Sequence, residues 1–226
     1  MARIITKMIG IEFIPSEFES DIELLGELRG FLPFDFVLIP DNPAFEVKIS
    51  PIISAKMLQD ALSLPFVACI SGSGKSLEVA KSLILGARYA SLKGIACVSG
   101  DREGISSIEI LKNAQGFEYL ISSTTKLEEK RALGLTHCIT QPLYENFPTF
   151  SFPTFLNFMP IFSPQTFSSL QNSKLGFEIP QSYKESKDLM QSNFEIYSQI
   201  KNRDFYLTPL NLKRQMPYLK SLFSHS

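Results

Sequence analysis

The chain has 226 residues, 44% hydrophobic and 12% aromatic, enough apolar side chain to bury a sizeable core and to exclude disorder as its main state. Its 22 basic and 23 acidic residues leave a net charge of −1, so there is no basic stripe of the kind a dedicated nucleic-acid binder carries. Three cysteines, Cys69, Cys97 and Cys138, show no CxxC spacing and each sits in an apolar run; they read as reduced, small core hydrophobes, not as a disulfide framework or a zinc knuckle.

Eight short β-rich runs follow one another along the chain: 8–14, 35–39, 65–70, 94–99, 118–122, 136–140, 154–161 and 204–210. Several are apolar almost throughout, as expected of parallel strands covered on both faces. Helical periodicity separates them. Residues 20–30 (SDIELLGELRG) start with Ser and Asp, carry a leucine-rich face and end on glycine. Residues 51–62 follow, and then 77–92 give the clearest helix, with Ala80, Leu83, Ile84 and Ala87 on one face and Glu78, Lys81 and Arg88 on another. Further helices are expected over 126–133, 184–200 and 213–223, with Pro217 leaving the start of the last one open, since proline is tolerated only in a helix's first turn. The Phe- and Pro-rich stretch 147–168 reads as loop, buried strand and loop. This alternation predicts one (β/α)8 TIM barrel domain over residues 1–226, with short loops because such barrels run to roughly 250 residues. An open doubly wound sheet is the competing architecture. No stretch approaches the ~18 apolar residues of a membrane span, and the N-terminus lacks a signal-peptide core, so the expected address is cytoplasmic.

Residues 71–76, SGSGKS, stand between a strand and the strongest helix, the layout of a phosphate-binding loop. The first glycine of GxxxxGK[ST] is replaced by Cys69, so the expected reading is a turn with Ser71 or Ser76 capping the helix, and a phosphate-ligand barrel is the minor alternative. More informative are polar residues at strand ends, where barrel chemistry is located. Glu12 lies inside the first strand between Ile11 and Phe13, where a carboxylate is costly to bury unless paired, protonated or functional. Asp101 follows the fourth strand and Gln141 closes the sixth; Asn42 and Pro43, at the end of the second, are explained by turn chemistry alone. Glu12, Asp101 and Gln141 come from three strands and are expected to converge on one mouth.

These residues stand in strings that resemble the methylenetetrahydrofolate reductase family, in order over nearly the whole chain. IEFIP resembles its F-E-F-x-P segment, FVLIPDNP its V-T-D-N-P segment, and ACVSGD its L-x-G-D segment. KRALGLTHCITQPLYE is similar to K-x-x-A-G-A-x-x-x-I-T-Q-x-x-x-D, FMPI to I-L-P-I, and DFYLTPLN to the closing F-H-x-Y-T-L-N. The resemblance implies Glu12 as the catalytic general acid, Asp101 as an aspartate shared by flavin and folate, Gln141 as a folate contact, and Gly100, Asp101 and Lys130 on FAD. It implies reduction of 5,10-methylenetetrahydrofolate to 5-methyltetrahydrofolate with NADH or NADPH. A carboxyl enclosed by Ile11 and Phe13 should have a raised pKa, which suits an acid. The chain departs from the pattern on the flavin side: Ser99 and Glu129 stand where the family has arginines, Pro40 where it has threonine, and SSTTKLEE replaces a longer flavin-holding region. A flavin-free folate- or pterin-binding relative, acting as a regulator or partner subunit, is therefore the alternative expectation. A homo-oligomer is a further one.

Overall fold

Eight parallel strands hydrogen-bond in the order β1 to β8, and β8 closes back on β1. The computed structural model describes residues 7–43, 46–100, 102–171 and 177–224. The elements are β1 (Ile9–Glu12), α1 (Phe18–Arg29), β2 (Phe36–Ile39), α2 (Pro51–Leu62), β3 (Phe66–Ser71), α3 (Leu77–Tyr89), β4 (Gly94–Val98) and α4 (Ser107–Leu111). They continue with β5 (Tyr119–Ser123), α5 (Leu127–Ala132), β6 (His137–Pro142), β7 (Thr154–Phe158), α6 (Pro164–Gln171), α7 (Gln181–Lys184), α8 (Leu189–Ile200), β8 (Phe205–Leu207) and α9 (Leu212–Ser224). This is a (β/α)8 TIM barrel, and every strand expected from the sequence is present. The open-sheet alternative fails because no edge strand is left.

Strand alternation sorts side chains into two cores. Ile11, Val37, Ala68, Ile95 and Leu156 point outward into the layer between barrel and helices, where Leu25, Leu58, Ala80, Ile84 and Ala87 meet them. The inward set is a separate cluster built on Phe36, Val67, Tyr119, Phe155 and Tyr206. Four rings fit inside so small a barrel because neighbouring positions lack side chains. A Cβ on Gly10 would stand 2.3 Å from the Phe36 ring, and one on Gly94 would stand 2.5 Å from Tyr119.

The helices correct the sequence reading in detail. The first begins at Phe18, two residues before the expected Ser-Asp start, and Asp21 instead folds back to accept from the backbone N–H and hydroxyl of Ser16. Pro217 does not break α9, which runs through it. Two helices have no counterpart in the expected set: α4, held by a capping box between Ser106 and Glu109, and α6, which starts at Pro164 inside the stretch read as loop. The single helix expected over 184–200 is instead the short α7 and then α8, which Asp188 caps and which starts at Leu189. Ser76 caps α3 as expected, its hydroxyl accepting from Val79 N. No described helix is long and apolar enough to cross a membrane.

Candidate active site at the mouth of the barrel

The carboxyl ends of the strands enclose a cavity of about 530 Å³. Glu12, the last residue of β1, lies on its floor. Its register partner Leu38 and the buried thiol of Cys69 leave it little water, and burial raises its carboxyl above the ordinary 4.5. Tyr206 opposes this in part: its phenol, rising from the layer below, donates to Glu12 Oε2 at 3.1 Å. Burial and the nearby carboxylate together hold the Tyr206 phenol well above its usual range, so it stays a donor.

One wall carries amides. Asn157 projects inward from β7; Thr208 donates to its Oδ1 at 2.8 Å, and its backbone N–H is held by the Thr140 hydroxyl at 2.9 Å. With the carbonyl side fixed, the Asn157 NH₂ is the group left to meet a ligand. Gln141 stands beside it, exposed and lining the same cavity, on the irregular stretch of β6 between Ile139 and Pro142 that re-aims the strand end. The opposite wall carries charge. Asp41, its side chain only 5% exposed, accepts from Lys75 Nζ at 2.9 Å and from Ser71 N at 2.9 Å.

The glycines of SGSGKS serve a purpose other than phosphate binding. Gly72 N donates to Val98 O, Ser73 N to the Ser71 hydroxyl, Gly74 N to Glu103 O, and Lys75 N to Gly72 O. All four amides that a phosphate loop would aim at its ligand are thus consumed, and the Lys75 ammonium belongs to Asp41. The loop is zipped to the one after β4 through a bridge between Ser73 and Gly104. The approach is so close that a Cβ on Gly72 would lie 1.8 Å from Ile105 O, and one on Gly104 2.0 Å from Gly72 O. Gly100 lines the cavity at the same junction, with φ of 81° and Ser73 Cβ 2.5 Å from where its own Cβ would be.

Of the residues expected from the sequence, Glu12, Gly100 and Gln141 therefore line one cavity. Asp101 lies outside the described residues. Lys130 does not line the cavity: it is 1% exposed, and its ammonium donates to Ser123 O at 3.0 Å and Ser123 Oγ at 2.9 Å, Ser123 being the lining residue at the end of β5. Burial lowers its pKa. Asp41, Lys75, Asn157 and Tyr206 were not singled out as members of this site. Asn157 carried a readable signal, an amide within an apolar strand; Tyr206 carried none, since an aromatic in a strand reads as core. The cysteines behave as expected: all three are free and buried, with burial pushing Cys69 to about 12 and Cys138 to about 11, so they stay protonated. Among the described residues no cluster of ligands suits a metal ion.

No protein-family profile matches the chain, and no curated protein matches its sequence. Among solved structures, it is similar to a protein from Clostridium thermocellum that binds two copies of 5-methyl-5,6,7,8-tetrahydrofolic acid, with a TM-score of 0.65 and 14% identity over 97% of this chain and 95% of that one. It is also similar to oxaloacetate acetylhydrolase, at a TM-score of 0.50 and 9% identity over 94% of this chain and 78% of that one. At such identities these likenesses establish the (β/α)8 fold.

Proposed function

We propose that the cavity binds a reduced folate and that Glu12 donates a proton to it, as in the reduction of 5,10-methylenetetrahydrofolate to 5-methyltetrahydrofolate. The observation that carries this reading is the carboxyl of Glu12, its pKa raised by burial, lining a cavity whose wall presents the Asn157 and Gln141 amides. Opening the five-membered ring of the substrate to an iminium needs a proton on nitrogen. A carboxyl whose pKa is raised by burial holds a proton more readily than an exposed one and can release it where charge develops. The amides suit the donor and acceptor edge of a pterin. Support also comes from the folate-binding protein of C. thermocellum, whose fold the chain matches over nearly its full length.

The resemblance supplies the hydride from NADH or NADPH by way of FAD. The described residues do not fit a flavin in the manner the resemblance implies: Lys130 is turned into the protein and bound to Ser123, and Ser99 spends its hydroxyl accepting from Ser107 N at 2.9 Å. No step of the proposal therefore passes through flavin. This favours a second reading, a flavin-free folate-binding protein that acts as a regulator or partner subunit.

Calorimetric titration with 5-methyltetrahydrofolate tests the shared core of both readings, and binding lost in Gln141→Ala with Asn157→Ala is the expected outcome. Titration with FAD tests the hydride route that the resemblance implies: flavin uptake favours the reductase reading, and folate binding without flavin uptake favours the second. If the protein reduces methylenetetrahydrofolate, Glu12→Gln should lower turnover by at least ~10²–10⁴-fold while folding normally. Intact turnover in that variant would make Glu12 a structural carboxylate.

A further inference from the structure

We propose that Tyr206 is a positioning residue that decides which oxygen of Glu12 carries the proton, leaving Oε2 as the acceptor and placing the proton on Oε1, toward the cavity. The inference rests on the reading of Glu12 as a proton donor, and adds to it the residue that makes the donor directional. A neutral carboxyl has one proton and two oxygens that are equivalent until something distinguishes them. Here the phenol of Tyr206 donates to Oε2 at 3.1 Å. An oxygen accepting a phenol hydrogen is the carbonyl-like one, so the carboxyl proton belongs on the other. Among the described residues Oε1 has no protein partner, and no buried side-chain oxygen there lacks one, so Oε1 is open to the cavity.

Tyr206 can impose this choice because the barrel interior packs it in place. It is 2% exposed, its ring is stacked on Phe36 at 6.3 Å, and its neighbour in register on β1 is Gly10, whose missing side chain makes room for that packing. Its other neighbour in register is Asn157 on β7, so the phenol and the ligand-facing amide are set by the same rung of the barrel. Among the described residues, the other titratable or charged groups on this cavity are the Cys69 and Cys97 thiols, both raised by burial and protonated throughout the working range, the Asp41–Lys75 pair, and Arg102. Cys69 packs in the same interior cluster as Tyr206.

The test is an infrared titration of the full chain without ligand. The carboxyl stretch of protonated Glu12 is identified by its loss in Glu12→Gln, or by its shift on ¹³C-glutamate labelling should that variant fail to fold. In Tyr206→Phe the band should move to higher frequency, because its carbonyl loses a donor. Its titration midpoint should rise by about 1 pH unit or more, because the carboxylate loses one as well. Fluorotyrosine at position 206, a more acidic phenol with the same shape, should move both the other way, and serves if the phenylalanine variant does not fold. A band and midpoint unmoved by these changes would overturn the inference and leave Tyr206 as packing. The calorimetric titration with 5-methyltetrahydrofolate on the unmodified chain reads the folate assignment separately. Folate binding without the infrared shift therefore refutes only the role of Tyr206, and the shift without folate binding refutes only the ligand.

Discussion

Glu12 connects the chemistry of the site to the stability of the fold. Its folded pKa is raised above the ordinary 4.5, so the folded state holds the proton more tightly than the unfolded chain. The stability that goes with this is fully present below about pH 4.5 and is lost as pH rises through the folded pKa. Glu12→Gln removes the dependence. Thermal melts should therefore show the variant more stable than the parent at pH 7 and above, with the difference closing on acidification toward pH 4.5. A constant difference across that range would mean that Glu12 is already ionised in the folded protein. Lys130 is the opposite case, a charge buried for structure. Its ammonium ties α5 to the end of β5, and Lys130→Ala should cost about 2–4 kcal/mol in chemical denaturation, the sum of a lost donor and a residual void. A variant of unchanged stability but weaker FAD uptake would return this lysine to the flavin.

At the level of elements, the most informative unit is the pair of loops after β3 and β4. Their interlock requires Gly72 and Gly104, where each approaching backbone oxygen lies about where a Cβ would be. Gly72→Ala should destabilise the protein by about 1–3 kcal/mol and loosen the wall that carries Lys75, reducing affinity for any ligand of the cavity more than an ordinary surface substitution does. Unfolding curves combined with ligand titration check both parts. An alanine tolerated at no cost would show that the loops are not locked. The motif itself was visible in the sequence, and the missing first glycine ruled against a phosphate loop. What the motif does instead depends on a segment some thirty residues later and was not visible. The helix at Ser107–Leu111 was legible in principle, since Ser106 and Glu109 form the S-x-x-E signature of a capping box. It is only five residues long and was lost among the turn residues around it.

Across the whole molecule, the barrel interior is a packing problem solved by pairing absent side chains with large ones. Phe36 is fully buried and its ring meets Tyr119 at 5.3 Å, Phe155 at 5.1 Å and Tyr206 at 6.3 Å. Gly10→Ala would thrust a methyl group into that ring and should destabilise the fold by about 1–3 kcal/mol. Phe36→Leu alone should also destabilise it, by leaving a gap. Combined, the two should cost less than their sum, because the smaller side chain admits the methyl group. Additive melting shifts in the double-mutant cycle would place the strain elsewhere.

The sequence by itself determined the architecture of this protein. Eight apolar runs separated by amphipathic ones bury both faces of a parallel sheet, and eight such strands with short connections leave an edge-free barrel as the compact solution. It also marked Glu12 and Gln141, because a polar group in an apolar strand is conspicuous against its neighbours. Only the tertiary structure decided which residues share the cavity. Barrel closure sets β8 beside β1 and so brings Tyr206 to Glu12 across 194 positions of sequence, a contact no local pattern encodes. It likewise turned Lys130 inward and paired Lys75 with Asp41. Whether a charged side chain faces solvent, ligand or protein depends on what the fold places opposite it, and periodicity along one chain does not specify that partner.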